Sequence, residues 1–279
     1  MRIAVLSGKG GTGKTTVSVN LAYAISNSYY IDCDIEEPNG NLFFKNKTEE
    51  TKEITVKVPV VNHELCDGCR QCVDFCAFNA LAFINNKVKV FDELCHSCGG
   101  CKIVCPLNAI SEVDKLIGYI KSKEDEGVRV ITGELIPQIP SGTTIIKELL
   151  KTKRDLPQII DCPPGTACTV MEAIEDADYC IIVGEPTLFG LANFKMVHEL
   201  LNKFSMKFGV IINKYYPNDE DVIENYCINN GLKILAKIPY DNKIGKEISE
   251  GIIISRNNNT YRELFQDVYK YIEREVKTL

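Results

Sequence analysis

The sequence has no long apolar run. Stretches such as Tyr179–Val183 last only a few residues, too short for a membrane-spanning helix. It has no basic block either: 32 basic side chains stand against 38 acidic ones, a formal charge of −6. A surface built for nucleic acid or anionic lipid is therefore not expected. An export signal is also missing, because Arg2–Leu6 reads as a strand directly after Met1. Together these absences predict a cytoplasmic protein with neither membrane nor nucleic-acid partners. Apolar content of 45% and charged content of 25% are those of an ordinary globular chain.

What the sequence does have is cysteine. There are 13, and eight of them fall within the 40 residues from Cys66 to Cys105. In a reducing compartment such a cluster reads as metal binding rather than disulfides. The run Cys66-x2-Cys69-x2-Cys72-x3-Cys76 recurs 29 residues later as Cys95-x2-Cys98-x2-Cys101-x3-Cys105. The tails repeat too, with Phe78-Asn79-Ala80-Leu81 matching Leu107-Asn108-Ala109-Ile110.

On both sides of this segment, strand and helix patterns alternate. Strands are predicted over Arg2–Leu6, Tyr29–Asp32, Gln158–Asp161, Tyr179–Gly184, Phe208–Asn213 and Leu232–Ile238. Helices are predicted over Gly13–Ser26, Thr143–Lys151, Leu191–Phe204 and Tyr261–Val276. The pattern predicts an α/β fold in which a mostly parallel sheet flanked by helices, residues 1–58 and 113–279, is interrupted by a small inserted α+β domain, residues 59–112. In the last helix, Leu264, Phe265, Val268, Ile272 and Val276 form a core-facing stripe. Four basic residues there (Arg262, Lys270, Arg274, Lys277) balance four acidic ones (Glu263, Asp267, Glu273, Glu275), so no lipid attraction is expected.

Between the first strand and first helix, Gly8-Lys9-Gly10-Gly11-Thr12-Gly13-Lys14-Thr15-Thr16 contains the P-loop pattern in the strand–turn–helix context it requires. Its glycines let backbone N–H groups wrap phosphates, and the helix that follows aims its positive end at them. Lys14 is expected to reach the β- and γ-phosphates, and the Thr15 hydroxyl to sit on Mg²⁺.

With a second lysine ahead of the glycines, this loop resembles the deviant P-loop of the MinD/ParA superfamily, which includes the nitrogenase iron protein and cluster-carrier ATPases. The resemblance implies that Lys9 crosses a dimer interface to the partner's nucleotide. It implies that Asp34, in Asp32-Cys33-Asp34, positions the attacking water. It further implies that Asp161, in Asp161-Cys162-Pro163-Pro164-Gly165, senses Mg²⁺, and that Asn213, Pro239 and Asp241 contact the adenine. Aspartates at strand ends also serve as turn formers and helix caps, the plainer reading of each. The implied ligands are ATP or ADP with Mg²⁺, held by Thr15, Asp34 and Asp161.

The duplicated cysteine run resembles that of bacterial ferredoxins, in which the fourth ligand of each cluster comes from the other motif. That implies one [4Fe–4S] cluster on Cys66, Cys69, Cys72 and Cys105, and a second on Cys95, Cys98, Cys101 and Cys76. Tetrahedral zinc is the competing reading of paired C-x2-C motifs. Of the remaining thiols, Cys33, Cys162, Cys180 and Cys227 read as small buried hydrophobes. Cys168 lies seven residues after Asp161, where the nitrogenase iron protein carries a ligand of its bridging cluster; packing is its plainer role.

Three function classes follow. The first is a nucleotide-gated electron donor working as a dimer on a redox partner. The second is an ATP-dependent carrier or assembly protein for iron–sulfur or another metallocofactor. The third is a spatial organiser. Four cysteines per cluster favour the first, and the lack of a basic surface disfavours the third. A cobyrinate-type amide synthase would need a glutaminase nucleophile, for which no motif is present.

Overall fold

The computed structural model describes residues 1–46, 48–139, 141–217 and 221–278. In chain order its strands are β1 (Arg2–Leu6), β2 (Ser28–Asp32), β3 (Glu50–Val61), β4 (Leu81–Ile84), β5 (Lys87–Val90), β6 (Ile110–Asp125), β7 (Val128–Leu135), β8 (Gln158–Asp161), β9 (Tyr179–Gly184), β10 (Phe208–Tyr215) and β11 (Ile234–Pro239).

Four strands buried along their whole length, β1, β2, β8 and β9, lie in the middle of one sheet, as parallel strands covered on both faces must. The spatial order is β11-β10-β9-β1-β8-β2-β7-β6-β3. All neighbours are parallel except at β6, which runs antiparallel to both β7 and β3. Helices Lys14–Ile25 and Asn259–Lys277 cover one face, burying Val17, Leu21, Phe265, Val268 and Ile272. Helices Thr143–Leu149, Cys168–Ile174, Leu188–Lys203 and Val222–Asn229 cover the other with Ile145, Val170, Phe194 and Ile223. Among the described residues no helix is long and apolar enough to cross a membrane.

Three strands of this sheet lie outside the sequence expectation: β3, β6 and β7. β3 reads Glu-Thr-Lys-Glu-Ile-Thr-Val-Lys-Val, and most of its side chains are solvated. Charge on an edge strand protects it from pairing with other chains, and it also dilutes the alternation that marks a strand. Register is supplied instead by the partner: β3 and β6 pair from Glu50↔Ser122 to Val61↔Ile110, an antiparallel ribbon with one bulge at Ile117 that continues past residues 58 and 113.

Beyond Val61 and Ile110 the chain forms an arm. It holds the short pair β4–β5, helices Gln71–Phe75 and Gly100–Ile103, and its own core of Cys72, Leu81, Val88, Cys101 and Ile110. The sequence repeat reappears in the backbone. Left-handed residues occur at Gly68, Arg70 and Asn79, and again at Ser97, Gly99 and Asn108, each 29 residues on.

Candidate functional site

Ligands of open parallel sheets bind at the carboxyl ends of the strands, and five predicted segments leave the sheet there. β1 runs into the glycine loop, β2 ends at Asp32, β8 at Asp161, β10 carries Asn213, and β11 ends at Pro239. They surround a cavity of about 440 Å³ lined by residues 9–16, Asp34, Asn213, Lys214, Pro239, Tyr240, Asp241, Tyr261 and Phe265. Gly8 stands behind it, where a Cβ would overlap the backbone of Asn193. Gly13, in the left-handed region (φ 91°), begins the helix with no room for a Cβ beside the Asn213 amide.

Lys14 is the centre of charge. Its Nζ donates to Asp161 Oδ1 at 2.6 Å and to Asp34 Oδ2 at 3.3 Å. Burial works against the ammonium, but Asp161 and Asp34 outweigh it and hold the Lys14 pKa above its ordinary value. Asp161 is fully buried and also accepts from Ser18 Oγ at 3.1 Å and Tyr30 Oη at 2.9 Å. Burial, reinforced by Asp161, pushes the Asp32 carboxyl well up, and burial also raises Asp34. Asp32 accepts from the backbone N–H of Asp34 at 3.1 Å and of Gly40 at 3.1 Å, so it shapes the segment that presents Asp34.

Other predicted residues have definite partners. Lys9 pairs with Glu185 at 2.8 Å and lies over the Phe189 ring at 5.5 Å. Asn213 Nδ2 donates to Thr12 O at 2.7 Å, which ties β10 to the glycine loop while the side chain lines the cavity. Asp241 caps helix Asn242–Ser249 by accepting from Lys243 N at 2.7 Å. Thr15 and Thr16 line the cavity wall. Sequence reasoning did not find Tyr30, Ser18, Glu185 or Lys214, whose Nζ donates to Gly11 O at 2.6 Å. These carry no motif, and only folding brings them to the loop.

On the arm, the eight clustered cysteines line two separate cavities. Cys66, Cys69, Cys72 and Cys105 line one; Cys76, Cys95, Cys98 and Cys101 line the other. Backbone N–H groups donate to three of these sulfurs: Ala80 to Cys76 at 3.3 Å, Ser97 to Cys95 at 3.4 Å and Ala109 to Cys105 at 3.3 Å. Such bonds favour thiolate, whereas burial pushes Cys72 up and Cys101 up to about 11. Four soft thiols per cavity, with amides aimed at sulfur, suit iron–sulfur ligation. Among the described residues no group of three or more His, Cys, Asp or Glu side chains is placed to hold a metal ion. The thiols border cavities instead. Cys33, Cys162, Cys180 and Cys227 are buried, and Cys168 is exposed.

Comparison with known proteins fits this geometry. Residues 3–254 match the family described as the CobQ/CobB/MinD/ParA nucleotide binding domain. An uncharacterised protein of Methanocaldococcus jannaschii is 33% identical over 98% of this chain and 96% of its own length. The iron-sulfur cluster carrier protein of Aquifex aeolicus is 24% identical over 99% of this chain and 68% of its own length. The septum site-determining protein MinD of Pyrococcus horikoshii, solved with Mg-ADP, superposes with a TM-score of 0.61 at 20% identity, covering 97% of this chain and 95% of that one.

Proposed function

Because the chain belongs to the CobQ/CobB/MinD/ParA nucleotide-binding family, we propose that it is a Mg²⁺-dependent ATPase that carries or assembles iron–sulfur clusters held on its cysteine arm. The observation that carries this reading is the joining of two four-thiol cavities to the same sheet that presents Lys14, Asp34 and Asp161. A likeness that spans 99% of this chain and 68% of a protein named as an iron–sulfur cluster carrier supports the same class. A ring of four thiols around a cavity suits a cubane, while tetrahedral zinc needs its ligands converging on one point. Such a cluster supplies exchangeable iron and sulfide to an acceptor, or a low-potential electron.

Lys14 is shared by two carboxylates until a triphosphate competes for it. As Lys14 turns to the β- and γ-phosphates, Asp161 and Asp34 lose their cation; Thr15 and these carboxylates would hold Mg²⁺, whose charge would compensate them. Asp34, on the cavity wall, is the carboxylate that orients the attacking water. Lys9 reaches the nucleotide of a second copy once it leaves Glu185, so the active species is an ATP-dependent homodimer. Asn213, Pro239 and Asp241 border the base.

Electron donation, which four cysteines per cluster favoured on sequence grounds, stands second, kept because each cavity borrows one thiol from the other motif and so closes around its contents. Incubating anaerobically reconstituted protein with MgATP and an apo-ferredoxin separates the two. Carriage predicts iron and sulfide leaving this chain and appearing in the acceptor in an ATP-dependent way. Full retention of iron and sulfide by this chain, with none appearing in the acceptor, would refute carriage and leave electron donation.

A further inference from the structure

Resting on that iron–sulfur reading, we infer that the two cysteine sets differ in their relation to nucleotide. The cavity of Cys76, Cys95, Cys98 and Cys101 is mechanically coupled to the Asp34 segment through Ile35 and Gly142; the cavity of Cys66, Cys69, Cys72 and Cys105 is not.

The first cavity is lined only by residues between Val61 and Ile110, all within the arm. The second abuts the ATPase body. Cys95, His96 and Ser97 line a hollow of about 90 Å³ together with Val56 and Ile117 of the ribbon and with Ile139, Ser141, Thr143 and Thr144. The cysteine side of this hollow is pinned to β6 by the Lys115–Asp92 ion pair at 2.7 Å. Its other side leads into helix Thr143–Leu149, which begins after Gly142.

Gly142 is where the nucleotide segment touches that side. A Cβ there would overlap Ile35 Cδ1, and one on Gly133 would stand 2.7 Å from Ile35 Cγ2. Ile35 is 2% exposed, its carbonyl accepts from Leu135 N at 2.8 Å, and it directly follows Asp34, the partner of Lys14. A close-packed side chain between two glycines has no slack. When a triphosphate draws Lys14 away from Asp34, Ile35 shifts with the Asp34 segment, and the wall carrying Ser141 and Thr143 shifts with it. The hollow then changes shape against Cys95–Ser97. A close-packed contact of this kind is the sort of element through which a switch can be transmitted.

Hydrogen–deuterium exchange on the cluster-loaded full chain, with and without Mg²⁺ and a non-hydrolysable ATP analogue, tests this. The expected result is a change of roughly threefold or more in exchange at residues 92–98 and 141–146, with none at 63–70. Ile35→Ala is expected to abolish the change at 92–98 while protection of the glycine loop remains; Gly142→Ala, which wedges the same contact, serves if the first variant folds poorly. Equal changes in both cysteine segments, or a change at 63–70 alone, would overturn the inference. So would no change in the arm when the loop is protected and iron stands at about eight per chain. A chain that retains no iron overturns the functional reading instead, and the inference falls with it.

Discussion

Lys14 is paired in this structure with two carboxylates, and a third, Asp32, lies behind them with both oxygens committed to backbone N–H groups. Removing the ammonium leaves Asp161 buried with only neutral donors, Ser18 and Tyr30. An uncompensated buried charge is costly, so Lys14→Met is expected to lose about 3 kcal/mol of unfolding free energy, read as a lower urea midpoint. Millimolar Mg²⁺ should recover part of the loss, because it binds the folded carboxylates and not the unfolded chain. An unchanged midpoint would show that Lys14 does not neutralise this cage. The glycine loop and Lys14 are legible in the sequence because their pattern has fixed local spacing, whereas Asp34 is reached only through the family resemblance. Tyr30 and Ser18 meet Asp161 across 131 and 143 residues of chain, a proximity no local pattern encodes. Glu185 is hidden from the sequence in the same way.

Helices Leu188–Lys203 and Val222–Asn229 are stapled together by His198. In the tautomer this arrangement selects, Asn202 Nδ2 donates to His198 Nε2 at 2.9 Å and His198 Nδ1 donates to Tyr226 Oη at 3.0 Å. A second proton would put two donors face to face at Nε2. Burial, opposed by Glu199, holds the His198 pKa below its ordinary value. The unfolded chain therefore takes up its proton first on acidification, near pH ~6.5, and stability falls as pH drops through that point until the folded histidine also titrates. The loss runs at up to about 1.4 kcal/mol per pH unit, and above neutral pH it vanishes. Urea unfolding of His198→Asn at pH 5.5 and 7.5 should show a smaller difference than wild type; an equal difference would mean His198 is not the titrating group. At this scale the sequence yielded the central elements and missed the edge. The runs that became β1, β8 and β9 have apolar centres buried on both faces, with Arg2, Gln158 and Asp161 at their ends. β3 and β6 are half solvated and carry Lys52, Glu53, Lys57, Lys121 and Lys123, and they become strands through pairing with each other.

The whole molecule is a nucleotide sheet extended by an antiparallel ribbon into an arm that repeats itself, and the repeat crosses over. Cys105 of the second motif faces the first cavity, and Cys76 of the first motif faces the second. That crossing makes the two cavities separable by single substitutions, provided the residue chosen does not also hold the arm together. Cys72 and Cys101 are unsuitable, since both are buried in the arm's core and their loss would confuse packing with ligation. Cys69 and Cys98 are exposed. Alanine there removes a proposed ligand without opening a core cavity, and without the oxygen that serine would offer in its place. Chemical iron and sulfide analysis of reconstituted protein should give about eight of each in wild type, about four in Cys69→Ala or Cys98→Ala, and close to none in the double variant. Wild-type iron in either single variant would show that thiol is not a ligand. Loss of all iron from one substitution would show that the cavities fill as a unit, against two separately ligated clusters.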